Sequence, residues 1–132
     1  MGPSHDPASM LVVEDDKVTL DVLHLIISRK FPDFTIYAAE NGRKGLELFK
    51  EHMPEIVITD ISMPEMDGIE MAGTIKSIKA DTKLIVITAY GTTGYQEKFD
   101  KIGFDDFLAK PIEFEKLFAA ISTCLASLAK TN

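Results

Sequence analysis

Short apolar runs in this chain end repeatedly in side chains that can do chemistry. Glu14 and Asp15 follow MLVV, Asp60 closes EIVITD, Thr88 closes KLIVIT, and Lys110, with Pro111 behind it, follows FDDFLA. A lone carboxylate at the end of a buried strand is rarely tolerated without water, a partner or a task. If the runs before Glu14 and through Asp60 are neighbours, Glu14, Asp15 and Asp60 converge and raise one another's pKa unless a cation intervenes. Oxygen donors without His or Cys nearby favour Mg²⁺ or a similar hard ion, which takes one or two carboxylates plus phosphate oxygens. Zinc is disfavoured, because His24 and His52 fall within or at the end of helical segments, read as surface residues, and lack a ligand partner at useful spacing. A carboxylate beside such an ion can attack phosphorus. Asp60 is therefore the candidate nucleophile, with the Lys110 ammonium neutralising charge on a phosphoryl group and the Thr88 hydroxyl donating to it.

These groups need a frame that gathers strand ends. The first, third and fourth apolar runs are nearly continuous, as expected of central strands covered on both faces of a parallel sheet. FTIYAA, Phe34 to Ala39, reads as a further strand that ends without obvious chemistry. Helical spacing occupies the intervals. Lys17–Lys30 places Leu20, Leu23, Ile26 and Ile27 on one side, with Asp15 or Asp16 as cap. Asn41–Glu51 and Gly68–Lys79 follow, and Glu113–Ala129 sets Leu117, Ile121, Cys124, Leu125 and Leu128 on one stripe, so Cys124 reads as core filler. Thr93–Ile102 is the weakest helix, anchored by Tyr95, Phe99 and Ile102; it reads equally as a short surface helix or a loosely docked element able to move. Alternating strands and helices predict a three-layer α/β fold, in which ligands bind beyond the carboxyl ends of the strands.

With 132 residues, 45% hydrophobic and 27% charged, the chain fits one domain with a real core. Its net charge of −7 gives no electrostatic support for binding nucleic acid or anionic membrane. No apolar run approaches the roughly 18 residues of a membrane span, and the start lacks the pattern of a signal peptide. A single cysteine agrees with a reducing compartment, so a cytoplasmic location is expected. Met1–Ser9 is small, polar and proline-containing; it resembles an expression tag and is expected to be disordered, leaving residues 10–130 as the domain and His5 outside it.

Taken together, the acidic pair Glu14-Asp15, the string D-x-x-M-P-x-M-D-G from Asp60 to Gly68, the Thr88-Ala89 pair and Lys110-Pro111 resemble, in order, the response-regulator receiver domain of two-component signalling. The resemblance covers Met10 to about Ala129 and implies a flavodoxin-like (βα)₅ sandwich with strand order 2-1-3-4-5, the order the chemotaxis receiver has. It implies Asp60 as phospho-acceptor, Asp15 as direct Mg²⁺ ligand, Glu14 as a ligand through water, and the Ser62 backbone carbonyl as a further ligand. Lys110 and Thr88 then resemble the phosphate-binding pair, and the Lys110–Pro111 bond is often cis in such domains. Thr88 and Phe107 occupy the switch positions; Phe107 lacks the Tyr hydroxyl of some members, so a switch through a phenolic hydrogen bond is excluded. Ser62 and Tyr90 occupy positions that tune the phosphoryl lifetime.

The expected activity is a signalling switch that takes a phosphoryl group from a phosphohistidine donor, with slow autodephosphorylation and no conventional enzymatic turnover. Expected partners are a histidine kinase or phosphotransfer protein, and an output domain or protein met through the Thr93–Ile102 helix, the fifth strand and the last helix. Dimerisation on phosphorylation stays open. Two alternatives stand beside it. One is a phosphorylation-independent pseudo-receiver that only binds partners. The other is a haloacid-dehalogenase-type phosphatase, whose usual second Asp is replaced here by Ser62.

Overall fold

A computed structural model describes residues 9–61, 63, 66–88 and 101–129. Its elements run β1 (Ser9–Val13), α1 (Lys17–Lys30), β2 (Thr35–Ala39), α2 (Gly42–His52), β3 (Ile56–Asp60), α3 (Gly68–Ile78), β4 (Lys83–Thr88), β5 (Asp106–Ala109) and α4 (Phe114–Ala129). All strand pairings are parallel, and the sheet order is β2-β1-β3-β4-β5. This is the flavodoxin-like order that the sequence led us to expect. The helix expected at Thr93–Ile102 lies outside the described residues except for helical Lys101 and Ile102.

Strand alternation divides the core between the two faces of the sheet. Met10, Val12, Ile56, Ile58, Ile85 and Ile87 pack with Leu20, Leu23 and Ile27 of α1 and Leu117, Ile121 and Cys124 of α4. Leu11, Val13, Val57 and Leu84 pack on the other side with Phe49 of α2 and Met71, Ala72 and Ile75 of α3. Each fully buried Leu, Ile or Phe contributes about 1.5–3 kcal/mol relative to exposure, so the two apolar layers supply most of what holds the sheet in place. Cys124 belongs to the core, and burial first of all pushes its thiol up to about 11, which keeps it protonated and inert.

Side chains rather than propensity decide where the helices begin. Asp16, not Asp15, caps α1 by accepting from the Thr19 N–H at 2.9 Å. Asn41 caps α2 through Lys44 N–H at 2.7 Å, and Asp67 caps α3 through Glu70 N–H at 2.8 Å. Several expectations shift for local reasons. Ser9 is not part of a loose leader: it opens β1 opposite Thr35, and its N–H and hydroxyl both donate to Glu55, at 2.8 and 3.2 Å. Phe34 stays outside β2 because it closes a turn on Phe31, the two rings meeting at a tilt with centroids 5.9 Å apart. β5 begins only at Asp106, since Asp105 turns its carboxylate onto the Leu84 N–H at 2.7 Å. His52 is exposed, as expected, though it stacks on Tyr37 at 4.1 Å, whereas His24 is half-buried and its Nε2 donates to the Ile36 carbonyl at 3.2 Å.

Close packing reverses the usual sign of a helix substitution at Gly42. A β-carbon at Gly42 would collide with the backbone oxygen of Met66, whereas one at Gly73 would meet nothing within 4 Å. Gly42→Ala is therefore expected to destabilise the protein by about 1–3 kcal/mol through overpacking. Gly73→Ala should stabilise it by about 0.5–1 kcal/mol through helix propensity. Urea midpoints at unchanged slope measure both, and a stabilising Gly42→Ala would contradict the close approach.

Candidate functional site

Sheet register builds the site. Val13 lies opposite Thr59, so Glu14, one residue past β1, arrives beside Asp60 at the end of β3. Asp60 lies opposite Ile87, which brings Thr88 one step beyond it, and Thr88 lies opposite Ala109, which delivers Lys110. The Lys110 N–H donates to the Thr88 carbonyl at 2.9 Å and fixes the start of the loop after β5. The Lys110–Pro111 peptide bond is cis.

At this edge Lys110 Nζ donates to Asp60 Oδ2 at 2.6 Å and stands 3.7 Å from Glu14 Oε1. Glu14, Asp60 and Thr88 are buried; Lys110 is partly exposed and Asp15 is exposed. One carboxylate oxygen from each of Glu14, Asp15 and Asp60 lies within 4.8 Å of the others. Burial, then a hydrogen bond to Asp60 and repulsion from it, push the Glu14 carboxyl up to about 8; Asp15 adds to this and Lys110 opposes it. For Lys110, partial burial disfavours the charge, but the bond to Asp60 and the Asp60, Glu14 and Asp15 charges outweigh it, and its pKa is raised.

The site is therefore short of positive charge. Among the described residues, three carboxylates against one ammonium leave a protonated or strained pair among buried acids, and a small divalent cation with hard oxygen preference would relieve it. The donor set fits Mg²⁺, with Glu14, Asp15 and Asp60 as the residues that could hold it. Among the described residues no other group of His, Cys, Asp and Glu comes together in this way.

Phe107 is half-buried in a small cluster with Ile61, Val86 and Phe104, its ring 6.1 Å from that of Phe104. It lies opposite Val86, two residues before Thr88 along β4, so both expected switch residues border one patch of β4 and β5. Ser62 and Tyr90 lie outside the described residues. Sequence reasoning placed Gly68 at the end of the motif and the start of a helix without its close approach to Asp60, and gave Gly42 no part. A β-carbon at Gly68 would strike the Asp60 carbonyl oxygen, and Gly42 plays the same part against Met66. The signal was the placement of each Gly directly after a helix-capping Asp or Asn.

Residues 10–122 match the response regulator receiver domain family, and the chain belongs to it. The chain is 33% identical over 118 residues to the chemotaxis protein CheY of Bacillus subtilis (strain 168), covering 89% of this chain and 98% of that protein. It is 31% identical over 122 residues to the transcriptional regulatory protein GlrR of Escherichia coli (strain K12), covering 92% of this chain and 27% of that protein. It likewise spans only 51% of the response regulator MprA of Mycolicibacterium vanbaalenii. Among solved structures, the N-terminal domain of an uncharacterized protein from Wolinella succinogenes superposes with a TM-score of 0.86 at 35% identity, covering 95% of this chain and 99% of that one. A CheY-like receiver domain from Methanospirillum hungatei superposes at 0.88 with 23% identity, a likeness of fold. The protein is thus a receiver domain of the two-component response regulators, a class built for phosphorylation-dependent signalling. Receiver domains interact with histidine kinases or phosphotransfer proteins and with output domains, and typically bind Mg²⁺ in an acidic pocket. No helix among the described residues is long and apolar enough to cross a membrane.

The acid pair has a measurable signature. Glu14 holds its proton in the folded, metal-free protein up to about pH 8, whereas an unfolded Glu releases it near 4.5. The group's contribution to stability is therefore full below the unfolded value and is lost as pH rises through the folded one. The urea midpoint of metal-free protein should fall across that window, and Glu14→Gln should flatten the fall. Added Mg²⁺ should raise the midpoint most at the alkaline end. A wild-type midpoint that is level with pH and indifferent to Mg²⁺ would contradict the charge deficit.

Proposed function

We propose that this chain accepts a phosphoryl group from a phosphohistidine donor onto Asp60 and changes its surface for an output partner. The observation that carries this is the contact of Lys110 with Asp60 at 2.6 Å inside a buried acidic pocket at the carboxyl edge of the sheet. In the transfer, a carboxylate oxygen of Asp60 attacks phosphorus as the bond from phosphorus to the donor imidazole nitrogen breaks. The electron pair leaves with the imidazole. Lys110 is placed to meet the phosphoryl oxygens and offset their charge, and the Thr88 hydroxyl to donate to one of them. Asp15, Asp60 and the Ser62 carbonyl would hold Mg²⁺ directly and Glu14 through water; bound there, the ion offsets charge on the incoming phosphoryl group.

Once the phosphoryl group is on Asp60, Thr88 moves toward it and vacates space into which the Phe107 ring turns, reshaping the surface around β5. The packing of half-buried Phe107 against Ile61 and Val86 is consistent with such a packing switch, which needs no phenolic hydroxyl. Ser62 and Tyr90 would set how readily water reaches the acyl phosphate. The output partner would meet the face of β5, α4 and the Thr93–Ile102 segment, and the setting is cytoplasmic. Residues 1–8 are proposed to lie outside the domain. The family assignment leaves the phosphatase alternative without support.

Acetyl phosphate with Mg²⁺ should add the mass of one phosphoryl group to the intact protein, mapped to Asp60, and beryllofluoride should saturate the same site. Asp60→Asn should abolish the adduct, and Lys110→Ala should slow its formation by about 10²-fold, the scale of one lost electrostatic contact to the reacting group. No adduct from a competent donor would overturn the proposal, and an adduct that leaves partner affinity unchanged would point to the pseudo-receiver instead.

A further inference from the structure

β3 carries one hydroxyl in an otherwise aliphatic run, at Thr59. The residue is fully buried, and strand alternation sets it on the face of Val57, which packs among Leu11, Val13 and Met71. Valine has the same shape and would suit that position as well or better. A buried hydroxyl is sustained only by a hydrogen bond, and this one donates to the backbone oxygen of the next residue, Asp60, at 2.9 Å. The same oxygen is also approached by the start of α3, where only the missing β-carbon of Gly68 allows contact. Gly68 is tied in turn to the end of β3 by its N–H, which donates to the Ile61 carbonyl at 2.9 Å.

We infer that Thr59 is a positioning residue for the phosphoryl-accepting carboxylate. Its hydroxyl and Gly68 both abut the Asp60 carbonyl oxygen, and the orientation of that peptide decides where the Asp60 side chain leaves the backbone. The carboxylate must lie in line with the donor bond while bonded to Lys110, and reactions of this kind lose rate steeply when the attacking atom is misplaced. Thr59 touches neither phosphoryl group nor donor. Its effect passes through the Asp60 backbone alone. The inference rests on Asp60 being the acceptor.

Two substitutions separate positioning from packing. Thr59→Val keeps the shape and removes the hydrogen bond; Thr59→Ser keeps the hydroxyl and removes a buried methyl. At saturating Mg²⁺ and acetyl phosphate, Thr59→Val should phosphorylate about tenfold more slowly than wild type, a loss on the scale of one misdirected hydrogen bond. Its urea midpoint should match or exceed that of wild type. Thr59→Ser should show the opposite pattern, a lower midpoint with a phosphorylation rate within about twofold of wild type. A Thr59→Val rate equal to wild type, or rates that merely follow stability across both variants, would overturn the inference while leaving Asp60 as acceptor. Wild-type protein that takes no phosphoryl group, or Asp60→Asn protein that takes one at the normal rate, would overturn the assignment of Asp60 and this inference with it.

Discussion

The ion pair between Lys110 and Asp60 is the interaction around which this domain is arranged. Removing one partner of a buried charged pair is strongly unfavourable, because the other is left without compensation in a medium that solvates it poorly. Here the imbalance is built in, since Glu14 and Asp15 bring further negative charge to the same point. One lysine can hold the cluster together without satisfying it. Glu14 answers by keeping its proton toward neutral pH, which is the response of a buried carboxyl set beside another carboxylate. A site in this condition has affinity for cations and for groups that arrive with them, and both a metal and a phosphoryl transfer draw on that deficit.

Such a cluster survives only because the surrounding structure is over-determined. β1, β3 and β4 are covered on both faces by fully buried aliphatic side chains, and their ends cannot slip by one residue without turning those side chains into solvent. Register therefore transmits the stability of the core to the placement of Glu14, Asp60, Thr88 and Lys110. The helix starts contribute by close approach. Gly42 lets α2 lie against Met66, and Gly68 lets α3 lie against the Asp60 backbone, so the residues flanking the acceptor are braced by main chain and not by side chains that could rotate away. Phe107, by contrast, sits half-buried at the margin of the core, beside residues that a local shift of Thr88 would disturb first.

Much of this was legible in the linear chain, and what was not shares a physical character. Helices announced themselves through 3.6-residue spacing, so that α1 was expected at its observed bounds and α2 and α3 within a residue of theirs. Capping was nearly so: the sequence offered Asp15 or Asp16, and only the Thr19 N–H showed which of them turns inward. The boundaries that moved did so because of single contacts that no periodicity carries. Glu55 captures Ser9 across 46 residues and draws it into β1, and Asp105 spends its carboxylate on Leu84 in place of extending β5. Exposed His52 fits the sequence pattern, but nothing local distinguishes a histidine on an open face from one that, like His24, reaches an edge-strand carbonyl.

The sequence by itself determined the types of group at the strand ends, the alternation that demands a parallel sheet, and the family to which their order belongs. Those are properties of neighbours along one chain, governed by periodicity and side-chain chemistry. Tertiary structure decided which of those groups touch. Glu14, Asp60 and Lys110 become one charged cluster because β1, β3, β4 and β5 pair in a particular register, and Thr59 and Gly68 meet at the Asp60 carbonyl because α3 folds back onto the end of its own strand. Distances between remote residues are set by packing two apolar faces against one sheet, and only the folded chain sums those contacts.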